Sequence, residues 1–152
     1  MMHSIWGDPE ATAARILPGG WIRTRDMGRI SPDGFLYLTA RKEDTIISGG
    51  INIWPIELET ALAAHSAVAE ACVVGVPHPK WGETPHAVVV LRPEATVTEQ
   101  ELVDWTRERL GSVKKVTAVT FRDALPKSPV GKVLRRVVRE QCAADAPSIT
   151  GA

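Results

Sequence analysis

The chain has 152 residues, 44% hydrophobic and 24% charged, enough for one core of ordinary size. Eighteen basic and eighteen acidic residues cancel, so the charge points to neither nucleic acid nor an anionic membrane surface. No apolar run approaches the roughly 20 residues of a membrane span. Residues 1–8 lack a signal peptide's apolar core, and Cys72 and Cys142 show no CxxC spacing, so the chain reads as cytoplasmic and without a metal site.

Pro9, Pro18 and Gly19-Gly20 interrupt the first twenty residues around a short helical stretch over 10–16. Ser31-Pro32-Asp33-Gly34 has proline where φ is fixed and glycine where φ must be left-handed, and it predicts a β-hairpin between 21–30 and 35–39. A short strand over 44–47 ends at Gly49-Gly50. Pro55 suits the first turn of a helix in which Ile56, Leu58, Ala61, Leu62 and His65 recur at near-helical spacing. Glu57 and Glu59 complement the positive end of its dipole.

Apolar strands follow over 71–76, stopped by Pro77, and over 87–91, stopped by Pro93. Thr98 with Glu101 makes a capping box that opens a helix through Leu102, Trp105, Arg109 and Leu110. A third core strand is expected over 116–121. Residues 131–144 read as a final helix with Val133, Leu134, Val137 and Val138 on one side, and 145–152 as a disordered tail. The order implies an α+β fold, a small mixed sheet packed with helices and preceded by a β-hairpin.

Two stretches are not explained by packing alone. One is Arg41-Lys42-Glu43-Asp44-Thr45-Ile46-Ile47-Ser48-Gly49-Gly50-Ile51-Asn52-Ile53-Trp54-Pro55, and the other is Leu125-Pro126-Lys127-Ser128-Pro129-Val130-Gly131-Lys132. They resemble, in the expected order, the inter-domain hinge and the catalytic-lysine loop of the adenylate-forming (AMP-binding) superfamily, in particular the C-terminal domain of acyl-CoA synthetases of the fatty or aryl acid–CoA ligase type. The resemblance runs over about 6–136. It implies residues 1–42 as the end of an N-terminal-domain region, 43–144 as the C-terminal lid, and 145–152 as the tail. It also implies a piece of a larger enzyme, inactive alone, whose partner is its own N-terminal adenylation domain.

The resemblance assigns roles residue by residue. Trp21-Ile22-Arg23-Thr24-Arg25-Asp26 is similar to the W-x-R-T-G-D motif, making Asp26 a ligand of the ATP ribose; Arg25 replaces the usual glycine. Arg41 is the arginine that reaches the nucleotide, with Ala40 in place of glycine before it, and Glu43 is the hinge. Gly49 and Gly50 line the pantetheine channel used by coenzyme A. Trp81, before Gly82-Glu83, offers a stacking face, and Lys115 can meet the CoA phosphates, although Val113 and Val116 replace the aromatic and the proline usual there. Lys132 is the catalytic cation, bridging the carboxylic acid substrate and the α-phosphate of ATP, whose Mg²⁺ the absent N-terminal domain would mainly hold.

Without the resemblance, each group has a plainer reading. Asp26 is a surface acid beside a hairpin, residues 41–44 a solvated charged turn, the glycines a strand-to-helix turn, and Lys114-Lys115 a surface pair. Lys132 is a cation opening a helix, the unfavourable end of the dipole. Lys127 reads as solvated, and His65, His78 and His86 as structural. The competing function is a stand-alone, non-catalytic module that binds nucleotide, CoA or a partner. The acyl group is set elsewhere, in the acyl pocket of the N-terminal domain.

Overall fold

A computed structural model describes residues 2–145. The chain divides into two compact units, one over residues 1–43 and one from Asp44 onward. The first unit opens with helix α1 (Pro9–Arg15), capped by the Asp8 carboxylate on Ala11 N–H. It ends with the expected hairpin, β1 (Asp26–Ile30) against β2 (Leu36–Arg41), with Asp26 opposite Arg41. The strands start later than expected, because residues 21–25 carry only an isolated bridge, Ile16 to Ile22.

The second unit is the α+β core. Strands β3 (Ile46–Ser48), β4 (Ile51–Ile53), β5 (Val68–His78), β6 (Gly82–Leu91) and β7 (Ala118–Phe121) form one sheet in the order β4-β3-β6-β5, with β7 parallel to β6. Helices α2 (Pro55–Ala63) and α3 (Glu99–Leu110) share one apolar cluster with the sheet, through Leu58, Leu62, Leu102, Val73, Ala87 and Val89. Helix α4 (Arg135–Asp145) shares a second, through Val138, Cys142, Cys72, Val74 and Val88. Residues 72, 73 and 74 alternate between the clusters because successive strand side chains point to opposite faces. The sheet therefore lies between two helical layers.

Three expectations are corrected. Strand β5 runs through Pro77 instead of stopping there, and β6 runs from Gly82 through Pro85 instead of starting at residue 87. Pro85 O accepts from Thr117 N and Oγ1, and a strand residue's missing N–H lies on the same side as its carbonyl. That side is a gap, after β3 has left β6 at Gly82 and before β7 joins at His86. Pro77 lies on the rim strand, where no donor is needed. Gly49-Gly50 joins two paired strands, β3 and β4, of which only the first was expected. The final helix begins at Arg135 instead of Gly131, and Asp145 still belongs to it; the rest of the expected tail lies outside the described residues.

Candidate functional site

In the first unit, Asp26 and Arg41 face each other across the hairpin, with Arg41 Nε 3.4 Å from Asp26 Oδ1. Glu43 is the last residue of this unit, and Arg25 Nη1 donates to its carboxylate at 2.5 Å. That hydrogen bond is the main reason the Glu43 carboxyl lies below the usual carboxylate range, with the charges of Arg25, Arg15 and Arg41 adding to it. The two expected nucleotide ligands are thus paired with each other, and the expected hinge residue is paired with Arg25.

In the second unit, Gly49, Trp81 and Lys115 line one cavity of about 350 Å³, together with Ile51, Pro85 and Thr117 among others. Gly50, expected beside them, is not part of its lining. Gly49 has φ +57°, and a Cβ there would stand 2.8 Å from the Trp81 ring. The glycine is needed for the indole as well as for the backbone. Trp81 is held by its own turn, in which His78 Nδ1 accepts the N–H groups of Lys80 and Trp81 at 3.2 and 3.3 Å, and Lys80 Nζ lies 4.8 Å from the ring centroid. Glu83 Oε2 accepts Ile47 N–H at 3.2 Å, tying the strand that leads into Gly49 to β6. Of the lysine doublet, Lys114 is paired with Glu57 at 2.9 Å, which leaves Lys115 to the cavity.

Lys132 stands elsewhere in the unit, on a finger where the sequence predicts the start of a helix. Gly131 N–H donates to Ser128 O, Ser128 N–H to Lys132 O, and Leu134 N–H to Pro126 O, with a bridge between Lys127 and Val133. With Gly131 at φ +79°, this is a three-residue hairpin loop closed by a left-handed glycine. Lys132 precedes α4 instead of opening it, so it does not stand in the first turn of that helix as expected. Lys132 is exposed, and among the described residues its Nζ has neither an ion pair nor a hydrogen bond. Its neighbours are engaged: Lys127, expected to be solvated, pairs with Glu70 at 2.7 Å, Arg136 with Glu140, and Arg135 with Glu59.

Arg135 is the residue that sequence reasoning missed. Its guanidinium takes Glu59 in a fork at 2.6 and 3.2 Å, donates to Val73 O, and lies 3.3 Å from Asp44. Glu59 also accepts Val73 N–H at 2.8 Å. Burial opposes the Arg135 charge, but Glu59, Cys72 and Asp44 together outweigh it, so its pKa is raised. Burial also pushes the adjacent Cys72 thiol up to about 11, which keeps it neutral. The network fixes the end of the lysine finger to α2, to β5 and to the first residue after Glu43. The sequence signal was Glu59 in α2, but nothing in the sequence joined it to a residue 76 positions away.

Among the described residues no helix is long and apolar enough to cross a membrane, and no group of His, Cys, Asp and Glu side chains could hold a metal ion. The model of the AMP-binding enzyme C-terminal domain matches residues 57–132. A long-chain-fatty-acid–CoA ligase of Bacillus subtilis is 46% identical over 93% of the chain and 25% of its own length. The long-chain-fatty-acid–CoA ligase FadD13 of Mycobacterium tuberculosis is 40% identical over 97% of the chain and 29% of its own length. The crystal structure of ATP-bound MatB from Rhodopseudomonas palustris superposes with a TM-score of 0.85 at 35% identity, over 91% of the chain and 27% of that protein. The chain therefore spans between a quarter and a third of these relatives. It belongs to the AMP-binding enzyme C-terminal domain family, the C-terminal part of the adenylate-forming acyl-CoA ligases.

Proposed function

We infer that the chain is the C-terminal lid, over about 43–144, of an ATP-dependent acid–CoA ligase, working only together with its own N-terminal adenylation domain. The observation that supports this best is Lys132, a cation unpaired among the described residues, on a closed hairpin beside the engaged cations Lys127, Arg135 and Arg136. In adenylation a carboxylate attacks the α-phosphorus of ATP, and both partners are anionic. A cation held between them offsets their repulsion and the charge that grows at phosphorus. Asp26 and Arg41 would exchange their mutual pair for the ribose and the nucleotide, and rotation about Glu43 would follow. The cavity at Gly49, Trp81 and Lys115 would then take the pantetheine arm, with the indole and the ammonium at its walls.

The hairpin agrees with a missing domain. Ile30, Phe35, Leu36 and Leu38 are each more than 60% exposed, an apolar surface that isolated domains rarely leave open.

The test is Lys132→Ala in the complete protein that contains this chain, with carboxylic-acid-dependent pyrophosphate exchange as the readout. The expected loss is ~10²–10³-fold, while thioester formation from a supplied acyl adenylate persists. Unchanged exchange would overturn the assignment of Lys132.

A further inference from the structure

Two non-glycine residues among those described have a positive φ, and one of them, Arg25, has φ +69°. Glycine adopts that conformation freely, whereas a side chain makes it costly. Strained backbone of this kind persists where its surroundings over-determine it. The determinants here are the last two residues of the first unit. Lys42 N–H donates to Arg25 O at 2.9 Å, and the Arg25 guanidinium donates to Glu43. No other acidic side chain is within ion-pair distance of Arg25 among the described residues.

We propose that Arg25 is a positioning residue for the hinge, a latch that holds Lys42 and Glu43 through one backbone and one side-chain bond. This rests on the reading of Glu43 as the pivot. A hinge absorbs its change of φ and ψ at a few residues, so bonds to two of them delay the turn until the latch opens. Both side chains are near half exposed, at 43% and 56%, so the latch is weak and screened by salt. Replacing Arg25 by glycine removes the backbone strain together with the guanidinium, which makes the latch separable from folding stability.

The separation is testable on the 152-residue chain by residue-resolved amide exchange and thermal melting. In Arg25→Gly the melting temperature holds or rises, while exchange at Lys42, Glu43 and Asp44 quickens about two- to five-fold, the scale of an exposed ion pair. Glu43→Gln gives the same local change, Arg25→Lys restores part of the protection, and about 1 M salt brings the wild type close to Arg25→Gly. A lower melting temperature with faster exchange throughout 26–41 would mean that Arg25 merely braces the hairpin, and overturns the proposal. Fast exchange at 42–44 in wild type and variants alike overturns the latch and leaves the pivot standing. Slow exchange there in all of them overturns both.

Discussion

Ser31-Pro32-Asp33-Gly34 and Ser128-Pro129-Val130-Gly131 fold into the same turn. In each, the glycine N–H donates to the serine carbonyl at 2.9 Å, and the N–H of the residue after glycine donates to the serine Oγ at 3.2 Å. The glycines have φ +87° and +79°. The flanks differ. The first turn joins strands of five and six residues, whereas the second closes a single bridge and leads into α4. The first turn is followed by Phe35, the second by Lys132. Turn chemistry is local and indifferent to what it presents; one turn leads into an exposed apolar side chain and the other into an exposed cation.

The sharpest way to break this comparison is to remove the presented cation. Lys132→Ala should cost ~10²–10³ in adenylation with little effect on melting, so a large stability loss would make Lys132 structural. Next comes the anchor that only the second turn has. Arg135→Met leaves the Glu59 carboxylate without its cation and Val73 O without its donor, and should destabilise the chain by about 3 kcal/mol in urea unfolding. A change under about 1 kcal/mol would place Arg135 among ordinary surface pairs.

The paired glycines sharpen the comparison. Gly34→Ala and Gly131→Ala meet no atom within 4 Å, so each should lose only the left-handed backbone term, about 1–2 kcal/mol. Only Gly131→Ala should slow adenylation, by about tenfold or more, because it shifts Lys132. Equal effects on activity would show that the second turn does not aim the lysine.

Smallest is a pH effect that should leave both turns alone. His86 Nε2 lies 2.8 Å from Thr120 Oγ1, and burial lowers its pKa below the usual 6.5. The unfolded chain then binds the extra proton, so this contribution is present above the unfolded value and is lost as pH falls through it towards the depressed folded one. His86→Gln should flatten the melting temperature between about pH 7 and pH 5, whereas Gly34→Ala and Gly131→Ala should keep the wild-type slope.

Legibility in the sequence followed how local each cause was. The capping box at Thr98 and Glu101, the helix start at Pro55 and the first Ser-Pro-x-Gly turn were readable because a few adjacent residues determine them. The second turn carries the same signature, but Lys132-Val133-Leu134-Arg135 after it is a helix-forming run, and the two patterns compete. The continuation of β5 beyond Pro77 was not legible, because a proline's cost depends on what lies opposite, which only the sheet order reveals. The candidate site divides in the same way. Lys132, Gly49 and Trp81 stood out as motif positions, while the fit of Gly49 to the indole and the Arg135 network depend on contacts between distant segments.

The outward peptide groups of Val73 have a consequence beyond the site. Strand β5 runs eleven residues along the rim of the sheet, and no described strand pairs with its outer side. Such a rim is a template to which a second chain can add. Glu59 and Arg135 occupy it at its middle, so the ion pair also works against aggregation. A version of the chain ending before Arg135 would lose that protection together with α4, and its expected fate is insoluble assemblies instead of a smaller domain.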